Sequence, residues 1–173
     1  MTDQPGKFRI YRAATAPTLA EADVLRYEGI TPAIQLGLKQ LVDAGIADGS
    51  FAKILFNAPG FSLAYAWHKS DYPLPLHSHD SDCLYLVLAG EMRFGKEVLE
   101  KGDGVFVPGD TPYTFVTGPE GVEFLEFRNA TSWNIIFKSN NPASWEKSAE
   151  RTRALHQTWL TEKQPIGFIK PDA

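Results

Sequence analysis

"PLHSHDSDCLYLVLAG", residues 75–90, decides how the rest of this 173-residue chain is read. His77 and His79 stand one residue apart and lead into an apolar run that ends at Gly90. Residues spaced by two on a strand share a face, so both imidazoles point the same way. The stretch reads as a strand that opens on a pair of histidines. That pair is either half of a metal site or two polar residues at the mouth of a strand.

Outward from this stretch, residues 51–128 keep one pattern. "FAKILFNAPG", "FSLAYAWHKS", "EMRFGKEVL", "EKGDGVFVPGD", "TPYTFVTGPEG" and "VEFLEFR" are short apolar or alternating runs cut by Gly, Pro, Asn and Asp. Strands of this length with turn chemistry between them predict an all-β sandwich or barrel. Residues 1–50 read as mixed structure. Thr18 and Glu21 have capping-box spacing. Thr31–Pro32 would open a helix with Ile34, Leu38 and Leu41 on one face and Gly45 as its stop. Gly37 weakens that helix, and a strand over residues 38–42 is the alternative. Near the other end, Asn141 and Pro142 start a helix expected over 142–163. Its stripe is Trp145, Ala149, Thr152, His156 and Trp159, and Pro165 stops it. The expected organisation is one domain over 1–173, with an N-terminal extension (1–50), a barrel (51–129) and a C-terminal extension (130–173).

Composition narrows the function. Seventeen Lys and Arg against 21 Asp and Glu give a net charge of −4, and no basic cluster is present to neutralise phosphates. Nucleic acid is therefore not an expected partner. No apolar run reaches about 18 residues, so no membrane span is expected. "MTDQPGKFRI" lacks the basic start and apolar stretch of a secretory leader. The single cysteine cannot form an internal disulfide, which fits a reducing cytoplasm, and it leaves too few thiols for a cysteine zinc site or iron–sulfur cluster.

Segment 71–117 resembles the cupin superfamily, whose fold is a jelly-roll barrel, the double-stranded β-helix. The first cupin motif is G, five residues, H-x-H, three or four residues, E, six residues, G. His77-Ser78-His79 matches its H-x-H and Gly90 its closing glycine. The second is G, five residues, P-x-G, two residues, H, three residues, N. Gly102, "DGVFV" and Pro108 match its first half. The departures are specific. Asp71 and Asp110 stand at glycine positions, Cys83 at the glutamate, Tyr113 at the third histidine and Thr117 at the asparagine. Only His77 and His79 remain of the family's usual ligands.

The resemblance implies a divalent metal, Fe2+ in first place, with Zn2+, Ni2+ or Mn2+ as alternatives. Two imidazoles need further donors, and two His plus one carboxylate is the usual set for oxygen chemistry. Glu97, two residues before an inward Leu99, has a precedent in some cupin dioxygenases and is the expected third ligand; a solvated turn charge is its bland alternative. In "VEFLEFR", Glu126 and Arg128 share a face. If that face is inward, Glu126 could bind metal or act as a base, and Arg128 could pair with it or hold a carboxylate substrate. Tyr113 is expected as a hydrogen-bond donor or general acid. Cys83, Tyr85, Arg128 and Trp67 are expected around the substrate. Asp80 and Asp82 read as turn residues, and His68 and His156 as structural.

The expected function is a metal-dependent cupin enzyme of dioxygenase type acting on a small aromatic or acidic molecule. Isomerase or lyase chemistry is a further option. The alternative is a non-catalytic small-molecule binder or sensor with a degraded metal site. Homodimerisation is implied by the family resemblance.

Overall fold

The computed structural model describes residues 8–170. Most of the stretch tested above for a leader lies outside them.

The body is two β-sheets. In the larger, β2 (Ser50–Ala58), β3 (Phe61–His68), β8 (Val116–Arg128), β5 (Cys83–Phe94) and β6 (Glu97–Leu99) run in that order, and β7 (Gly104–Val107) pairs with β5. The smaller has the order β1 (Leu25–Tyr27), β9 (Trp133–Phe137), β4 (His77–Ser78). The all-β body expected from the sequence is thus present as two sheets with a terminal helix. Two strands of the smaller sheet come from outside residues 51–129: β1 from the N-terminal extension and β9 from the C-terminal one.

β5 shows why these residues make strands. Cys83, Tyr85, Val87 and Ala89 are buried while Leu84, Leu86 and Leu88 face outward, a period of two. At Gly90 the register with β8 slips. Its φ is +75°, and a Cβ there would lie 2.1 Å from the Gly121 carbonyl oxygen. The closing glycine of the motif is needed by this close backbone crossing.

Asp71 (φ +53°) and Asp110 (φ +60°) occupy the two positions where the cupin motifs carry glycine. Both keep the left-handed backbone that glycine would give, which aspartate tolerates better than most residues. These departures preserve the turns. Thr117, at the asparagine position, also serves a turn. Its buried hydroxyl donates to the Lys69 carbonyl (2.6 Å) and accepts from the Tyr72 N–H (2.9 Å).

All three α-helices start as the sequence indicates. The capping box of Thr18 and Glu21 opens the short α1 (Leu19–Ala22). Thr31 caps α2 (Pro32–Asp43), whose Ile34 and Leu41 are buried, so the strand alternative over 38–42 does not form. Gly37 is inside that helix for a packing reason. A Cβ there would fall 2.2 Å from the Trp145 indole of α3 (Pro142–Trp159). On α3, Trp145, Ala149, Thr152 and Trp159 are buried as the stripe requires. The helix ends at Trp159, short of residue 163. There Trp159 Nε1 donates to the Ser70 carbonyl at 2.9 Å, and Lys69 Nζ takes the Trp159 carbonyl at 2.5 Å.

Beyond α3 the chain crosses the outer face of the large sheet. Glu123, fully buried there, accepts hydrogen bonds from Tyr65 Oη (2.7 Å) and from the backbone N–H groups of Ile166 (2.7 Å), Gly167 (2.9 Å) and Phe168 (2.9 Å).

Candidate functional site

Between the sheets lies a cavity of about 130 Å³. Its floor is Ala64 and Ala66 of β3 with Ala52 of β2, and its far wall is Trp133 and Ile135 of β9. Alternation along β3 makes the space. The small side chains of Ala64 and Ala66 face inward, while Tyr65 and Trp67 pack on the outer layer with Leu55, Leu63 and Ile169. Trp67 therefore does not line the cavity as expected, and Lys69 Nζ lies 4.9 Å from its ring centroid. The inward face ends instead in His68, a residue expected to be structural, which lines the cavity. Its parity with Ala64 and Ala66 was the available signal.

His77 and His79 both line the cavity and their rings lie 4.8 Å apart. His77 Nδ1 donates to the Pro75 carbonyl at 2.7 Å and His79 Nδ1 to the Asn134 carbonyl at 2.5 Å. A carbonyl only accepts, so each Nδ1 carries the proton and each Nε2 keeps its lone pair. Burial, together with the Arg128 charge, lowers His77 to about 4 and His79 to about 3, partly opposed by those carbonyl bonds. Burial, with the nearby His77, lowers His68 to about 3. All three are neutral at pH 7.

Tyr113 stands where the family has a third histidine. The two motifs meet here, since His77 N donates to the Tyr113 carbonyl (3.1 Å) and Tyr113 N to that of His77 (2.9 Å). Its ring lies 4.5 Å from that of His77, and its hydroxyl shares a proton bond of 2.5 Å with Tyr85 Oη. Burial raises both phenols above their ordinary range, so both stay protonated. Tyr85 projects from β5, where it faces Glu126 of β8 in register.

The face of β8 left open by the sequence is resolved by burial. Phe124 and Arg128 are buried, and Glu126 and Arg128 line the cavity. Arg128 Nη2 is 3.3 Å from Glu126, Nη1 is 3.3 Å from Ser81 Oγ, and the guanidinium carbon lies 4.8 Å from the centroid of the Trp133 ring. Its Nε–H has no partner among the described residues. Burial works against the Arg128 charge, but Glu126 together with Tyr85, Cys83 and Tyr113 outweighs it, and the guanidinium stays protonated.

Two expected participants are placed elsewhere. Glu97 is exposed on β6, opposite Phe94 in the hairpin with β5, and is not part of the cavity lining. The hairpin turn carries it to the sheet edge, away from the two histidines' cavity. Cys83 is buried in the core cluster that holds Tyr85 and Tyr113 and is not in the cavity lining, and burial pushes its thiol up to about 12, so it offers no thiolate. Asp80 and Asp82 are turn residues: Asp80 accepts from Asn134 N (2.8 Å) and Asp82 from Gly109 N (2.9 Å). His156 bonds Asp48 at 2.7 Å, far along the chain from these strands.

The donor set can now be tested against the metal that the resemblance implies. Among the described residues no group of three or more His, Cys, Asp or Glu is placed to hold an ion. His68 lines the same cavity but is not grouped with His77 and His79 as a donor set, and the neighbouring buried charge is a guanidinium, which repels a divalent cation. Glu126 is engaged with that guanidinium. These residues do not fit a metal held in the family's manner. What they do offer at neutral pH is the imidazole acceptors of His77 and His79 beside the neutral ring of His68, one free O–H from the bonded Tyr85–Tyr113 pair, and one carboxylate–guanidinium pair around an apolar space.

No helix among the described residues is long and apolar enough to cross a membrane. No protein-family model matches the chain, and no curated protein matches it. Solved structures do align with it. The polyketide cyclase RemF from Streptomyces resistomycificus is 22% identical over 61% of this chain and 82% of its own, with a TM-score of 0.47. KdgF from Halomonas sp. is 20% identical over 47% and 80%, with a TM-score of 0.43. An RmlC-like cupin from Shewanella frigidimarina is 20% identical over 48% and 78%, with a TM-score of 0.43. At these identities nothing is said about chemistry. The H-x-H bridged to the turn of the second motif, and the left-handed turns kept at Gly90, Asp71 and Asp110, are the features by which this two-sheet body resembles the cupin fold.

Proposed function

We propose that this chain is a small-molecule cupin whose working site is the cavity between the sheets, and that it acts by proton transfer. The observation that supports this is the convergence of His77, His79, Tyr85, Tyr113, Glu126 and Arg128 on one space of about 130 Å³. An engineered cavity of about 150 Å³ holds benzene, so a molecule of roughly six heavy atoms matches this one. Glu126 is the candidate base. Tyr113, backed by Tyr85, is the candidate donor to oxygen that gains negative charge as the proton leaves carbon. The proton passes from substrate carbon to the Glu126 carboxylate. Its return to the same or a neighbouring carbon gives exchange or isomerisation. The dioxygenase reading suggested by the resemblance has less support, because among the described residues no three donors are placed together to hold a metal.

A binding role without turnover is favoured by one feature. The imidazoles, lowered to about 3 and 4, are weak bases. Proton NMR in D2O separates the two readings. Short keto and hydroxy acids are incubated with the protein and their C–H signals followed. Catalysis predicts loss of a C–H signal faster than in buffer, slowed about 10²- to 10⁴-fold by Glu126→Gln. Ligand shifts without exchange in any compound would establish the binding role instead.

A further inference from the structure

We infer that Arg128 takes over the charge role that a metal ion would have in this cavity, so that the cavity binds a short-chain organic monocarboxylate without any divalent cation. The inference rests on the reading of the cavity as the working site, and it names the class of molecule that fills it.

Arg128 is 3% exposed, so its charge is removed from water and has to be answered inside the protein. The answer present is incomplete. A guanidinium has five N–H donors, and charge-assisted bonds are ordinarily about 2.7–2.9 Å long. Here Glu126 and Ser81 each stand at 3.3 Å, and Nε–H has no partner among the described residues. The ring of Trp133 covers one face of the guanidinium at 4.8 Å and leaves its edges for in-plane partners. A planar fork with unused donors in an apolar cavity is the chemistry that recognises a carboxylate.

The remaining lining limits which carboxylate. One O–H of the bonded Tyr85–Tyr113 pair is free to donate, and the imidazoles of His77 and His79 accept, which suits a hydroxyl or carbonyl substituent beside the acid. Ala52, Ala64, Ala66, Leu74 and Phe115 require the remainder to be small and apolar. A second carboxylate on the ligand would face Glu126, so one negative charge is preferred. Three- or four-carbon acids meet these conditions at the size of the space. The buried Arg128 charge lines the same cavity as His77 and His79 and would repel a divalent cation placed there.

The test is isothermal titration of the full chain after EDTA treatment and desalting. The probes are pyruvate, lactate and propionate, the neutral amides of lactate and propionate, and malonate. Each titration is repeated with added Mn2+ and Fe2+, the latter under anaerobic conditions. The expected result is that at least one monocarboxylate binds in EDTA-treated protein, with affinity unchanged by metal. Its amide binds at least about tenfold more weakly, and Arg128→Gln loses at least about tenfold. Should Arg128→Gln fail to fold, as judged by circular dichroism, the acid–amide comparison in the unmodified protein still decides. Binding that appears only with added metal overturns the inference. Equal binding of acid and amide overturns it too, while leaving the cavity as the working site. Failure of every probe, charged and neutral, overturns both.

Discussion

Three histidines on the inner surfaces, His68, His77 and His79, are held at about 3 to 4 against an ordinary 6.5. Their folded pKa is depressed, so on acidification the unfolded chain takes up protons first. Stability is then constant above about pH 6.5 and falls as pH drops from 6.5 towards 4. It levels off below about 3, with each residue contributing about 1.4 kcal/mol per pH unit inside that window. Urea denaturation at pH 7 and pH 5 should show a lower midpoint at pH 5. In His77→Gln/His79→Gln the difference should be smaller by about two protons' worth of slope. An unchanged difference would mean that these rings are not held neutral by the fold. The residue scale is also where the sequence was only half legible. The shared face of His77 and His79 follows from spacing alone. That Glu126 and Arg128 turn inward, and that Glu97 turns out, depends on which face of β8 and which end of a hairpin meets the second sheet. Local alternation carries no such information when both faces of a strand bear aromatics.

At the scale of elements, Gly37 shows how a residue that weakens a helix in sequence can be needed by its packing. Alanine there would favour the isolated helix by about 1 kcal/mol. Its Cβ would meet the Trp145 ring at 2.2 Å, and overpacking of this kind costs roughly 1–3 kcal/mol. Gly37→Ala is therefore expected to lower stability by about 1 kcal/mol in urea denaturation; a gain would mean that α2 and α3 slide apart at little cost. The contact between α2 and α3 joins residues more than a hundred positions apart, so no window of sequence could have revealed it. β3 carries the same lesson in the other direction. Its two faces, alanines and histidine against tyrosine and tryptophan, were visible, and size suggested that the large aromatics walled the ligand. Space for a ligand is made by the small residues.

At the scale of the whole molecule, the strands predicted over 51–128 supply the large sheet and β4. The smaller sheet is completed by β1 and β9, which reach in from both flanking segments. The terminal segment is tied down at Glu123 by three backbone N–H groups and a phenol. Hydrogen bonds to a charged group contribute about 1.5–3 kcal/mol each, and loss of an acceptor leaves buried donors unmet. Glu123→Ala should destabilise the chain by about 3 kcal/mol and raise deuterium uptake at residues 166–168, read by mass spectrometry. Uptake no higher than in the parent would mean that the segment is held from elsewhere.

The alanine floor has a consequence of its own. Ala52, Ala64 and Ala66 sit on neighbouring strands of a hydrogen-bonded sheet, where the backbone cannot yield by a methyl group's width without breaking ladder bonds on both sides. Such a floor works as a gauge of molecular length. Every methyl added to it by substitution is subtracted from what the cavity admits. A graded series at Ala66, through Val to Leu, should therefore shorten the longest accepted ligand step by step and leave the chemistry at the opposite wall in place.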